Sequence, residues 1–192
     1  MVAKIHRTFE GKLKTVTVSK NKRGHYYASL LFDDGKPEPQ ISTNGKAVSI
    51  DLGVKEFAID GSKIPNPKHL PKHEVNLKRK QKNLSRKKKG SNRRQKSRQK
   101  LARAHEKVSN ARQDVHHKLS RKLVDENQVI IAENLNVKGM LRHHKLARSI
   151  ADCGWGIFLN FVSYKATEDG KTFLEIIGSF HLPKLVTIVS ML

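Results

Sequence analysis

The segment that most restricts the fold of this chain is residues 128–134, QVIIAEN. Val129, Ile130 and Ile131 are consecutive, and the side chains of a strand alternate between its two faces. A strand with this pattern is apolar on both faces, which is typical of the centre of a parallel sheet. Because parallel neighbours cannot be joined by a tight turn, the chain also has to supply a long crossover connection.

Residues 46–52, KAVSIDL, are predicted to form another strand of this sheet. Its apolar side chains fall on one face, and Asp51 falls on the other. Residues 56–60 and 61–64 predict two further short strands, and residues 61–127 are long enough for the crossover. The later elements are a helix over residues 146–166, with Ile150, Trp155, Phe158, Leu159 and Val162 as core candidates, and a strand over residues 172–180.

Residues 13–18, LKTVTV, and 25–32, HYYASLLF, have the β-branched and aromatic composition of strands. The link between them ends in glycine, which predicts a β-hairpin. Residues 33–40, DDGKPEPQ, contain glycine and two prolines and are polar throughout, so we place a subdomain boundary there.

The net charge of the chain indicates what class of molecule it binds. The chain has 39 Lys or Arg residues against 17 Asp or Glu residues, a formal net charge of +22. This is far above the magnitude of about 2–8 that keeps a small domain soluble, so a polyanion is the expected partner and nucleic acid the leading one. An anionic membrane surface is less favoured, because no basic amphipathic helix with aromatic anchors is apparent.

Residues 78–100 contain thirteen Lys or Arg residues and no acid. Such a run is often solvated and disordered. The alternative, which we favour, is a basic helical hairpin with helices at about 72–88 and 93–126, because apolar residues from Leu101 onward recur at three- and four-residue steps. Gly90 would end the first helix, Ser91 or Asn92 would cap the second, and Pro71 would begin the first. The candidate nucleic-acid-binding residues are Lys78, Arg79, Lys80, Lys82, Arg86, Lys87, Lys88, Lys89, Arg93, Arg94, Lys96, Arg98 and Lys100.

The chain has one cysteine, Cys153, which excludes an internal disulfide and a zinc site built on several thiolates. It lacks the apolar core of a secretory signal and the run of about 20 apolar residues that a membrane span needs. We expect a cytoplasmic, nucleoid-associated protein with no membrane or small-molecule partner. Cys153 and Trp155 are expected to be core residues, and the adjacent histidines His116 and His117 are not expected to share a metal.

Asp51 lies inside one apolar strand and Glu133 near the end of another. On adjacent parallel strands these carboxylates would lie about 4.8 Å apart, the spacing of neighbouring strands. Like charges at that separation repel unless a divalent cation lies between them, and Mg²⁺ prefers carboxylate oxygens. The alternative is structural: each acid caps a helix or pairs with one of the many lysines.

Several stretches together resemble the TnpB (OrfB) family of transposon-encoded proteins, which are RNA-guided DNA endonucleases. They are SIDLGVKEFA around Asp51, IIAENLNVKGM around Glu133, LARSIADCGWGIFLNFVSYKA, and the basic LSRKKKGSNRRQKSRQKLARAHEKVSNARQDVHHKLS. The order of strands and helices is also that of an RNase H-like domain. The resemblance implies a RuvC-type RNase H-like α/β fold, with Asp51 and Glu133 as catalytic acids and metal ligands.

The resemblance further implies a domain organisation. Residues 1–40 would be the last part of a wedge-like β-barrel. Residues 41–182 would be an incomplete RuvC domain, with the basic hairpin inserted at 72–126, and residues 183–192 a divergent tail. The partners would be DNA and guide RNA, which the basic helices would contact through backbone phosphates while base pairing reads the sequence.

Family members continue into a zinc ribbon and a third catalytic aspartate. This sequence has no cysteine after Cys153 and no aspartate after Asp169, and neither Asp152 nor Asp169 matches the third acid. We therefore expect a truncated form in which Mg²⁺ or Mn²⁺ binding is weak or lost, no zinc is held and cleavage is absent. The alternatives are a basic RNA- or DNA-binding module with no chemistry, or a short paralogue that occupies guide RNA.

Overall fold

The computed structural model describes residues 8, 10–59, 62–66 and 68–177 of the 192-residue chain. Asp60, at the end of the strand predicted for residues 56–60, and the predicted tail 183–192 lie outside the described residues. The strands are β1 (Lys12–Lys20), β2 (Tyr26–Asp33), β3 (Ala47–Leu52), β4 (Glu56–Ile59), β5 (Ser62–Pro65), β6 (Val129–Asn134) and β7 (Thr172–Ile177). The helices are α1 (His69–Ser85), α2 (Asn92–Glu126), α3 (Val137–Met140), α4 (Ala147–Cys153) and α5 (Trp155–Glu168).

The main sheet has five strands in the order β5-β4-β3-β6-β7. Strands β3, β4 and β5 are joined as antiparallel neighbours, whereas β6 is parallel to both β3 and β7. The prediction from residues 128–134 is confirmed, since Val129, Ile130 and Ile131 are all buried at the centre of the parallel part. The chain is therefore a mixed α/β protein built on a mixed sheet.

One face of this sheet carries the main hydrophobic core, and we call it the helical face. Val48, Ile50 and Leu52 of β3 belong to a single cluster with residues of α2, α4 and α5. Their strand neighbours on the same face, such as Ile130 of β6, are equally buried. Because side chains alternate along a strand, Asp51 projects from the opposite face, as its position between Ile50 and Leu52 predicts.

Strands β1 and β2 form a separate two-stranded antiparallel sheet, which confirms the predicted hairpin. Contacts divide the chain into two compact units. One comprises Met1–Glu38 and Arg79–Arg103, and the other Pro39–Lys78 and Ala104–Leu192. Among the described residues, no helix combines the length and apolar character needed to cross a membrane.

The basic stretch forms two helices, as we favoured, with bounds that differ slightly from the prediction. Helix α1 begins at His69, so Pro71 is its third residue and not its first. Proline is tolerated there because the first amides of a helix have no partner within it. The helix ends at Ser85, and Gly90 lies in the turn with a φ of 81°. The Ser91 hydroxyl accepts the backbone N–H of Arg94 at 3.2 Å and so caps α2.

The single helix predicted for residues 146–166 is wrong. Gly154 has a φ of 64° and separates α4 from α5. A left-handed residue ends the α4 hydrogen-bond pattern, and glycine adopts this conformation without strain. The segment after β6 contains the short helix α3, which Asn136 caps by accepting the N–H of Gly139.

Candidate metal and nucleic-acid sites

The register of the central strands places the two predicted acids side by side. Strand β3 pairs with β6 through Ala47 to Ile50, and the last pair is Ile50 with Ala132. The next position of this register sets Asp51 beside Glu133. Both project from the face opposite the helical face, where Asp51 is exposed and Glu133 is half-buried. Neighbouring strands lie about 4.8 Å apart, so the two carboxylates are within reach of one ion.

A tight turn follows Asp51 and fixes the end of its strand. A Cβ on Gly53 would lie 2.5 Å from the carbonyl oxygen of Glu56, so a larger residue would force the β3–β4 turn to move. The turn is also held by Asn66, whose side-chain amide donates to the carbonyl of Val54 at 3.1 Å. The same amide contacts the Cys153 sulfur at 3.1 Å, which links the turn to α4.

The two carboxylates suit a hard divalent cation. Mg²⁺ accepts one or two protein carboxylates and retains several waters, so a pair of oxygen ligands on rigid strands fits its chemistry. Within the part of the chain that the structure describes, no group of three or more His, Cys, Asp or Glu side chains is arranged to hold a metal. The pair is thus a two-ligand arrangement in that part.

Asp152 and Asp169, the two later aspartates, are engaged elsewhere. Both Asp152 oxygens accept the backbone N–H of Leu70, at 3.0 and 3.2 Å, and one of them accepts Arg112 at 2.7 Å. Asp152 is buried in α4, among the helices that pack on the helical face, and so lies on the other side of the sheet from Asp51. Asp169 forms an ion pair with Arg121.

The paired histidines have different surroundings. His116 is buried against Phe158, and burial followed by the nearby Arg112 charge lowers its pKa to about 4. His117 is exposed and stacks on Phe161, with ring centroids 3.9 Å apart. The predictions that Cys153 and Trp155 are core residues are confirmed, since each is 2% exposed. Burial raises the pKa of the Cys153 thiol to about 11, which leaves it protonated.

The thirteen candidate nucleic-acid-binding cations lie on the second half of α1, the following turn and the first turns of α2. Two of them already have protein partners. Arg94 donates to the carbonyl oxygens of Leu84 and Lys87, at 3.2 and 2.9 Å, and so holds the end of α1. Lys78 pairs with Glu74 at 2.5 Å; Arg148 and Lys78 together lower the Glu74 pKa to about 2.

The sequence interpretation missed three side chains that hold distant parts of the chain together, Asn66, Arg112 and Lys165. Asn66 and Arg112 gave no signal of their own, because their partners are distant in the chain. Lys165 was also missed: it is buried, and its ammonium donates to the carbonyl of His117 and the hydroxyl of Ser120, at 2.8 and 2.7 Å. Burial lowers its pKa. A lysine in the middle of an apolar helix pattern was the one available hint.

Comparison with known proteins agrees with these features. The OrfB family model (OrfB_IS605), described as "Probable transposase", matches residues 16–144. A protein of Streptomyces pristinaespiralis named "Putative RNA-guided DNA endonuclease" is 39% identical over 174 residues. The aligned region covers 89% of this chain and 42% of the relative, so the chain spans about two fifths of that protein's length. The chain belongs to the OrfB (TnpB) family of transposases.

Proposed function

We propose that this chain is a nucleic-acid-binding member of its family with a RuvC-type, RNase H-like fold. The sheet supports this: three antiparallel strands are followed, after a helical crossover, by two parallel strands added beside the first. In this proposal residues 41–182 form the nuclease-type domain with the basic hairpin at 72–126, and residues 1–40 derive from a wedge-like barrel.

The observation that carries the proposed site is the register of β3 with β6. It brings Asp51 and Glu133 to adjacent positions on one face, although each is the one acid of its own strand. We assign both as ligands of Mg²⁺ or Mn²⁺ and as the first and second catalytic acids. A bound divalent ion would supply Lewis-acid stabilisation of a phosphodiester. The carboxylates hold the ion, and the strands orient the carboxylates.

The proposed partners are DNA and guide RNA. The relative's name points to both, and the +22 charge supports a polyanionic ligand. The exposed cations of residues 78–100 would contact phosphates, which positions the protein without reading sequence. Arg94 and Lys78 would contribute least, because protein groups already occupy them. Such a protein would be associated with the nucleoid.

We propose that the chain by itself binds nucleic acid without cleaving it. Three acids define the family's active site, and the two later aspartates are committed to Leu70, Arg112 and Arg121. A cleavage assay with a labelled DNA duplex and 10-fold excess of chain tests this, with no product expected in Mg²⁺ or Mn²⁺. Robust cleavage that disappears in Asp51→Ala would contradict it.

The metal site is tested by titrating Mn²⁺ and following its electron paramagnetic resonance signal, which falls as the ion binds. Asp51→Asn and Glu133→Gln should each weaken binding strongly. Glu175→Gln is the matched control, because Glu175 lies on the neighbouring strand β7 at the position paired with Ala132, on the other face. Equal effects of all three variants would refute the assignment.

The nucleic-acid site is tested by the salt dependence of binding to a DNA duplex and to an RNA–DNA hybrid of the same sequence. Each phosphate neutralised contributes about 0.9 to the slope of log affinity against log salt. The double variant Lys88→Gln/Lys89→Gln should lower the slope, by up to about 2. The control Lys118→Gln/Lys122→Gln removes the same charge from lysines paired with Asp114 and Glu126 and should leave it unchanged.

The alternative of a module without chemistry predicts the same salt dependence but no Mn²⁺ binding that depends on Asp51. The Mn²⁺ titration therefore distinguishes the two functions. A short paralogue that occupies guide RNA would behave like the proposed protein in both assays. It would be recognised by competition, because it would inhibit cleavage by a full-length relative when both share a guide.

A further inference from the structure

One row of residues crosses the sheet from β5 to the two acids. Lys63 of β5 pairs with Ala58 of β4, and Ala58 pairs in turn with Asp51 of β3. The register of β3 with β6 then sets Asp51 beside Glu133. Residues paired across neighbouring strands project from the same face of a sheet. Lys63 therefore lies on the face that carries the acids, with one register position between it and Asp51.

The packing of β5 agrees with this orientation. Ile64, the residue after Lys63, packs against the main hydrophobic core on the helical face. Because side chains alternate along a strand, Lys63 projects from the opposite face, and its side chain is 69% exposed. Two strand spacings of about 4.8 Å separate its backbone from that of Asp51, and a lysine has a long, flexible stem. An anion above Ala58 is thus within reach of both the ammonium and an ion held by Asp51.

The ammonium of Lys63 has a partner that a phosphate can replace. It pairs with a carboxylate oxygen of Glu56 at 3.2 Å. Glu56 lies on β4, so this contact holds the ammonium on the side of β5 that faces Asp51. The Glu56 side chain is 43% exposed, and ion pairs between exposed side chains contribute little to stability. Exchanging the carboxylate for a phosphate oxygen therefore costs little.

We propose that Lys63 binds the phosphodiester that contacts the ion held by Asp51 and Glu133. This inference rests on the metal site of the proposed function and adds a second contact to the same phosphate. The ammonium of Lys63 is a compact charge with three donors, so it can donate to one diester oxygen while the ion takes another. The alternative is that Lys63 and Glu56 form a surface ion pair and nothing more, which predicts that phosphate binding is independent of Lys63.

The test is titration of the full chain, with Mn²⁺ bound, with the dinucleotide d(TpT), followed by ³¹P relaxation. Bound Mn²⁺ relaxes a phosphorus nucleus only at short range, so the signal reports a diester beside the ion and not one on the basic hairpin. Lys63→Met should weaken d(TpT) binding by at least about fivefold, because a charge-assisted hydrogen bond is lost. Lys63→Arg keeps the charge and should retain most of the affinity. Lys118→Met is the matched control, because Lys118 is also exposed and ion-paired, with Asp114 on α2.

Two further measurements separate this inference from the metal site on which it rests. The electron paramagnetic resonance titration should show that Lys63→Met binds Mn²⁺ at least as tightly as the wild type. Glu56→Gln releases the ammonium and should tighten d(TpT) binding, and this gain should disappear when Lys63→Met is also present. Failure of the wild-type chain to bind Mn²⁺ would refute the metal site and this inference together. Normal Mn²⁺ binding, with d(TpT) bound equally by the wild type and Lys63→Met or by neither, would overturn this inference alone.

Discussion

The buried ion pair between Asp152 and Arg112 gives the sharpest prediction about stability. Asp152 is 6% exposed and Arg112 has a side chain 20% exposed, with 2.7 Å between the paired atoms. Removing one partner of a buried pair typically costs about 3–5 kcal/mol. Asp152 also accepts the N–H of Leu70 in the first turn of α1, and losing such a cap costs about 1 kcal/mol more. Because Arg112 retains some access to water, we expect Asp152→Ala to cost about 3–4 kcal/mol.

Asp152→Asn separates the two contributions. The amide retains an oxygen that can accept the N–H of Leu70, but it loses the charge-assisted bond to Arg112, which is worth about 1.5–3 kcal/mol. We therefore expect about 2 kcal/mol of destabilisation. The double variant Asp152→Asn/Arg112→Met should lose less stability than the two single variants lose in total, because no unpaired charge remains.

Urea unfolding followed by fluorescence measures these values. The chain has one tryptophan, Trp155, which is buried three positions from Asp152 and so reports on this part of the fold. Asp114→Asn is the control, since Asp114 forms an exposed pair with Lys118 that should contribute less than about 1 kcal/mol. Strict additivity of the double variant, or an Asp152→Ala effect no larger than the control, would refute the reasoning.

Three further perturbations have defined outcomes. Gly53→Ala should destabilise the protein by about 1–3 kcal/mol in urea unfolding because its Cβ would meet a carbonyl oxygen, whereas Gly156→Ala, with open space around it, should not. His116 is neutral when folded, since its pKa is about 4, so the unfolded chain binds more protons between pH 4 and 6.5. Stability should therefore fall as pH drops through this window. In His116→Asn the urea midpoint of unfolding should depend less on pH. Arg94→Gln should speed hydrogen exchange at the end of α1, because it removes the guanidinium that donates to the carbonyls of Leu84 and Lys87. Arg93→Gln should leave this exchange unchanged.

The elements that the sequence predicted well have a strong local periodicity. Residues 129–132 are apolar at four consecutive positions, a pattern typical of a buried strand at the centre of a parallel sheet. The strand containing Asp51 was equally clear, because its apolar residues alternate with polar ones. From these two strands and the long connection between them, the parallel pairing followed, and with it the expectation that Asp51 and Glu133 are neighbours.

The features that the sequence did not predict depend on contacts between distant residues or on a single backbone angle. The apolar pattern continues through Gly154, so periodicity alone gave one helix where the left-handed glycine makes two. Asp152 looked like an ordinary helix acid, because Arg112 lies forty positions earlier. Arg94 looked like one cation among thirteen, because its bonds to main-chain carbonyls leave no mark in composition.

The parallel pairing of β3 with β6 has a consequence for the order of events during synthesis. The ribosome completes β3, α1 and α2 before it begins β6, so the growing chain exposes every residue of its basic segment while Asp51 still lacks its neighbour. Pairing of strands so far apart in sequence is intrinsically slow. Polyanions in the cell therefore meet the nascent basic helices first, and the two carboxylates come together only afterwards.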